Sequence, residues 1–210
     1  MISLPLVYTI LALVAYTSSF WYLFIRLMSK RTPNLWCYSI MIGLGLLLHS
    51  TVLYQDMMTP IGVNYDVFNL MSFTSGLMLA LSLILSFIRP ILPLNLIGTP
   101  VAAIGLILGY AFSQPNQVIE QHSLGLDLHI ILSLSAYAVL LMATIHSVLL
   151  WFQDRELKKK QKRRIWVNLL PPFQVMESVL FDLIITGFGL LTAALLFGFF
   201  TIDHFFAQHL

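Results

Sequence analysis

Six stretches of the sequence are apolar for about 20 residues each, and that feature decides what kind of fold the chain can adopt. They cover residues 4–25, 35–54, 68–88, 92–112, 126–152 and 179–200. A helix rises 1.5 Å per residue, so about 20 residues cross the roughly 30 Å hydrocarbon core of a bilayer. Within lipid, every backbone N–H and C=O must be bonded inside the protein, and an apolar stretch of this length meets that demand as a helix. Composition agrees. The chain is 59% hydrophobic and 10% charged, whereas a soluble domain carries about 25% charged residues. The expected fold is therefore all-α: a polytopic membrane protein with six transmembrane helices, making one membrane domain over residues 1–210. The fourth stretch holds Pro93, Gly98, Pro100, Gly105 and Gly109, so it is expected to kink or to begin late. Its Gly105 and Gly109 also form a small-xxx-small spacing, which lets helices approach closely.

Charge sets the expected orientation. All eleven Lys and Arg fall in three places: Arg26, Lys30 and Arg31 after the first stretch, Arg89 after the third, and a run within 155–164 after the fifth. These are alternate loops and so share one side of the membrane. Neither terminus nor the loops at 55–67 and 113–125 carry a Lys or Arg. Basic loops stay in the cytoplasm, so the N-terminus and the C-terminus are both expected outside. The first stretch lacks a basic n-region and reads as a retained helix rather than a cleaved leader. The run at 155–164 reads as a juxtamembrane loop touching anionic lipid, with no nucleic acid implied. The segment 165–178, with Pro171-Pro172 in its middle, is expected to lie along the interface before the sixth helix.

Several chemistries have no motif here. Cys37 is the only cysteine, and there is no CxxCH, so covalent c-type haem is not expected on this chain. No phosphate-binding glycine loop, HExxH or GxSxG occurs, and the chain is not expected to be an enzyme. No charge pair lies near the middle of a span, as a transporter would want; Asp182 is close to the cytoplasmic end of the sixth stretch.

Histidines are the remaining candidates, because imidazole tolerates an apolar site when neutral and ligates haem iron. His49 and His129 lie near the outer ends of the second and fifth stretches. Two imidazoles at one depth on neighbouring helices could clasp an iron between them. The plain alternative for each is a hydrogen bond to a neighbour, a lipid headgroup or water. His146 is 17 residues beyond His129, about 25 Å along the helix, so the two cannot share an iron. His122, His204 and His209 lie in an outer loop and the C-terminal tail, where solvated histidines are the norm.

A resemblance to a known family runs through these residues. His129-Ile-Ile-Leu-Ser133-Leu-Ser135-Ala136-Tyr137-Ala138 resembles the histidine-led helix of the cytochrome c assembly family, which includes CcsA/ResC and HemX-like proteins. Leu170-Pro171-Pro172-Phe173-Gln174-Val175-Met176-Glu177 resembles the family's cytoplasmic segment. Gly187-Phe188, Leu191-Thr192 and Gly198 resemble its next helix, and the outer loop 62–68 is a looser match. The likeness is greatest to YpjD-like proteins of the bacterial inner membrane.

The resemblance implies a non-catalytic assembly factor that binds or delivers haem, with non-covalent haem b as cofactor. His129 is then an axial ligand to the haem iron and His49 the second candidate. Haem and the lipid bilayer are the implied partners. The chain departs from CcsA-type members in lacking their tryptophan-rich outer loop: Trp21, Trp36, Trp151 and Trp166 lie elsewhere. YpjD-like relatives continue past the equivalent of Leu210, so the sequence is expected to be truncated at its C-terminus relative to them. The alternative function is a non-haem accessory or regulatory subunit of another inner membrane protein, such as an ion transporter or a haem-synthesis enzyme.

Overall fold

A computed structural model describes residues 4–60, 62–114, 118–119, 124–158 and 169–207. Six long helices account for most of it: α1 Leu4–Met28, α2 Leu35–Met57, α3 Val67–Ile88, α4 Asn95–Phe112, α5 Leu124–Leu157 and α6 Phe173–Ala207. All six are long and apolar enough to cross a membrane. Their outward faces are greasy rather than polar, with Trp36, Ile40, Ile88 and Ile185 about 70% exposed. Such a surface suits lipid and would be a liability in water. The chain is an all-α, multi-pass membrane protein.

Helix α3 organises the bundle. It packs against α2, α4 and α5, while α1 packs on α2 and α4, and α6 lies along α5. One apolar core joins α1 to α4 around Tyr16, Tyr38, Ile42 and Leu106. A second joins α3, α5 and α6 around Met78, Val139, Met142 and Met176. Gly105 and Gly109 bring α4 against α3: a Cβ at Gly105 would run into Ser75 Oγ, and one at Gly109 would sit 2.8 Å from Ser72 Cβ. A buried polar clamp holds the other end of the same pair. Ser82 Oγ donates to Asn95 Oδ1 at 2.6 Å, and Asn95 Nδ2 donates to Ser86 Oγ at 3.3 Å.

The helix ends follow local chemistry. Asn34 and Asp66 cap α2 and α3 by accepting from Cys37 N and Phe68 N. Before α4 the chain makes a 3-10 turn, Leu92–Leu94, with Pro93 inside it, and the α-helix starts at Asn95. Pro100 is accommodated within α4. Helix α6 reaches further back than the sequence suggests. Residues 173–178, expected along the interface, are its first turns, because the helix starts directly after Pro171-Pro172, with Met176 N donating to Pro172 O. Residues 165–168 of that segment lie outside the described residues.

Alternate loops meet at common ends, as the charge pattern requires. At one end a small antiparallel sheet, β1 Met58–Thr59, β2 Gly62–Asn64 and β3 Val118–Ile119, ties the α2–α3 loop to the α4–α5 loop. At the other end Arg89, just after α3, pairs with Asp182 of α6 at 3.2 Å.

Candidate functional site

His129 lies in the second turn of α5, half-buried against α6. Its Nδ1 is 2.7 Å from the backbone oxygen of Ala194. A carbonyl can only accept, so Nδ1 carries the proton and donates. In the neutral ring, Nε2 then keeps its lone pair, and among the described residues no hydrogen bond occupies it. Gly198 makes this approach feasible. A Cβ there would lie 2.8 Å from both Nδ1 and Cε1 of the ring. Residues 194 and 198 are one helical turn apart, so they present one patch of α6 to the ring.

His49 is differently placed. It is 2% exposed on α2, with Nδ1 3.0 Å from the Tyr16 hydroxyl of α1 and Nε2 2.9 Å from Ser72 Oγ of α3. Both ring nitrogens are taken, and the ring rests beside Gly76, where a Cβ would come within 3.2 Å of Cε1. The sequence expectation of two imidazoles facing one iron is corrected here. His49 borders a cavity between α2, α3 and α5; the α5 residues on that cavity are Asp127, Ile130, Ile131 and Leu134. Those four repeat at the spacing of one helix face. His129 is about 200° round the axis from Asp127, so it turns toward α6 instead. Sequence could place both rings at similar depth but not on opposite faces of α5.

The cavity has a volume of about 520 Å³, within the usual range for a small-molecule site. Its walls are mostly aliphatic and aromatic, and its outer rim carries Tyr65 and Asp127. Tyr65 donates to Asp127 Oδ1 at 3.1 Å, linking the α2–α3 loop to α5. Burial first, and then the Asp127 carboxylate by hydrogen bond and charge, push the Tyr65 phenol up to about 12. It therefore stays protonated, and a donor, throughout the physiological range.

Other candidates fall apart from these. His146 is buried at the opposite end of α5, with Nδ1 3.0 Å from Met142 O in its own helix. His122 and His209 lie outside the described residues; His204 lies in α6, and its side chain is outside the described set. Tyr16, Ser72 and Tyr65 are not legible as site residues in the sequence, because nothing in it marks a hydroxyl that meets an imidazole from another helix.

Comparison with known families decides the affiliation: the family model described as Cytochrome C assembly protein matches residues 4–210. The chain belongs to the cytochrome c assembly protein family. Comparison with curated proteins and with solved structures finds no match. Membership gives this assembly protein a role in cytochrome c maturation, and it makes haem the group to test against the residues present. Among the described residues, no three of His, Cys, Asp and Glu gather to hold a bare metal ion. An iron already bound by four porphyrin nitrogens needs only one or two protein donors. The ring of His129, with Nδ1 spent on a carbonyl and Nε2 bearing its lone pair, has the donor state that such an iron requires.

Proposed function

We propose that this cytochrome c assembly protein is a non-catalytic haem-handling factor of a bacterial inner membrane, with His129 as axial ligand to a non-covalently bound haem b. The observation that carries the reading is the His129–Ala194 hydrogen bond, which fixes the tautomer and aims the ring from a packed helix pair. A ligating histidine ordinarily spends its other N–H on a carbonyl or carboxylate in this way. Bound haem would supply an iron that accepts the Nε2 lone pair. The chain's own part is to hold and orient the His129 ring through Ala194 of α6. The charge bias of the loops favours an outside position for the His129 end.

The test is the absorption spectrum of the intact chain purified from haem-replete membranes. A Soret band in stoichiometric yield is expected. A preparation no more coloured than an unrelated multi-pass protein treated alike would overturn the reading and favour the accessory-subunit alternative.

Gly198 provides a finer check. Alanine normally favours a helix over glycine by about 1 kcal/mol, so Gly198→Ala should leave the bundle folded or slightly more stable. The added methyl must nevertheless push the His129 ring off Ala194. Haem affinity is expected to fall about tenfold or more, as seen when a ligand's supporting hydrogen bond is lost. Equal affinity in a haem titration of the variant would show that the Ala194 contact does not position the ring.

A further inference from the structure

Helices α3 and α6 each pack on α5, and a crevice of about 300 Å³ runs between them. Ile84, Leu85 and Ile88 of α3 and Leu183 of α6 form its walls, with Val139 and Met142 of α5 as its floor. Arg89 and Asp182 line the end that lies on the side of the basic loops. Positions 81, 84, 85 and 88 of α3 all border the crevice, as do 179, 182, 183 and 186 of α6; each set has the spacing of one helix face. On α3 the stripe recedes from Arg89 into the membrane for about 10 Å. Ile84 and Ile88 are 57% and 73% exposed, so this flank is open to the bilayer. The crevice is remote from His129: Asp182 lies 12 residues before Ala194 on α6, about 18 Å along the helix.

The charged end has bonding capacity to spare. Arg89 Nη2 donates to Asp182 Oδ2 at 3.2 Å, and among the described residues neither side chain makes a further hydrogen bond. The two side chains are 44% and 58% exposed, and so open an ion pair contributes little by itself. A headgroup can therefore engage both members at small cost. Charge complementarity selects which one. Guanidinium groups bind phosphate oxygens well, so Arg89 suits a phospholipid phosphate. Asp182 beside it calls for a cation that can donate a hydrogen bond. Phosphatidylethanolamine carries both groups, a phosphate and a primary ammonium. The quaternary ammonium of phosphatidylcholine has no N–H to donate. Phosphatidylglycerol brings a net negative charge to Asp182 and no cation of its own. We propose that the crevice is a binding site for phosphatidylethanolamine from the leaflet on the side of the basic loops. The phosphate accepts from Arg89, the ammonium donates to Asp182, and one acyl chain lies along the crevice between Leu85 and Leu183.

The test uses the full chain in detergent, free of haem, with phosphatidylethanolamine, phosphatidylcholine or phosphatidylglycerol of identical chains. Native mass spectrometry reads the dissociation constant of the first bound lipid. Phosphatidylethanolamine is expected to bind about threefold or more tightly than either of the others, the scale of one partly exposed charged hydrogen bond. Asp182→Asn should bring phosphatidylethanolamine to the level of phosphatidylcholine. Arg89→Gln should weaken both alike, since both present a phosphate. Thr186 is exposed and borders the crevice, so Thr186→Trp fills it from the lipid side and should weaken phosphatidylethanolamine binding as far as the two polar substitutions combined. If Thr186→Trp elutes as aggregate, Ile84→Trp fills the same space from α3 and takes its place. Equal binding of the three lipids would overturn the proposal, as would a preference that survives Asp182→Asn or the filling variant. Tightest binding of phosphatidylglycerol would overturn it too, leaving Arg89 as a site for anionic lipid. No arm of the experiment reads haem, so its failure leaves the reading of His129 untouched, and a colourless preparation leaves this site untouched.

Discussion

Replacing His129 by alanine is expected to strip haem from the purified chain, while replacing His49 by alanine leaves it coloured. The difference follows from where each ring spends its nitrogens. His129 uses Nδ1 on Ala194 O, and among the described residues no hydrogen bond occupies its Nε2. His49 has Tyr16 on one nitrogen and Ser72 on the other. Loss of a supporting hydrogen bond alone typically weakens metal affinity 10–100-fold, so loss of the ligand itself should cost on the order of 100-fold or more. His49→Ala instead opens a void beside Gly76 and orphans Tyr16 and Ser72, which is a stability defect. The measurement pairs the Soret band with a detergent unfolding curve for each variant. His129→Ala should lose the band with little change in unfolding, and His49→Ala should do the reverse. Retention of the band in His129→Ala would remove that residue from the iron. Free imidazole added to the His129→Gly protein provides a further check, since it should restore the band if only the ligand was missing.

The largest effect on the fold is expected from Gly105→Leu. Helices α3 and α4 touch there so closely that even a methyl group would strike Ser75 Oγ, with Met71 O 3.4 Å away behind it. Leucine must drive the helices apart. The separation would disturb the Leu106 and Ala102 contacts of the core and, further along, the Asn95 clamp. Overpacking of a well-filled core costs about 1–3 kcal/mol and sometimes more; a substitution aimed at a helix–helix crossing belongs at the upper end, about 3 kcal/mol. Gly43→Leu is the matched control. Nothing lies within 4 Å of a Cβ at that position, so the added side chain points into lipid and stability should hardly change. Unfolding in mixed detergent and SDS compares the two directly. Equal behaviour of the two variants would mean that the α3–α4 contact does not limit stability.

Much of the architecture is legible in the order of the amino acids, for identifiable reasons. Helix number follows from the length of apolar runs, because bilayer thickness imposes a common ruler on all of them. The common ends of alternate loops follow from the placement of Lys and Arg, and the three-stranded sheet and the Arg89–Asp182 pair join the ends so grouped. Extended helix ends are less legible. Helix α5 runs 34 residues, about 51 Å and well beyond the hydrocarbon core, since hydropathy detects where lipid stops and not where hydrogen bonding does. The first turns of α6 look interfacial in the sequence because their mixed polarity masks a helix starting directly behind Pro172.

At the site, the linear chain offers candidates only: a few imidazoles near the expected edge of the membrane, one of them heading a helix of recognisable family type. It also carries the small residues Gly105, Gly109 and Gly198, without saying what approaches them. Direction comes from the packed bundle alone. Packing turns His129 to α6 and Ala194, gives His49 to Tyr16 and Ser72, and opens a cavity on the other face of α5. Hydropathy is a property of each residue, whereas the state of an imidazole nitrogen depends on which atom of another helix comes within about 3 Å of it. That partner is set by how six cylinders pack, and packing is a relation among distant segments that no local pattern records.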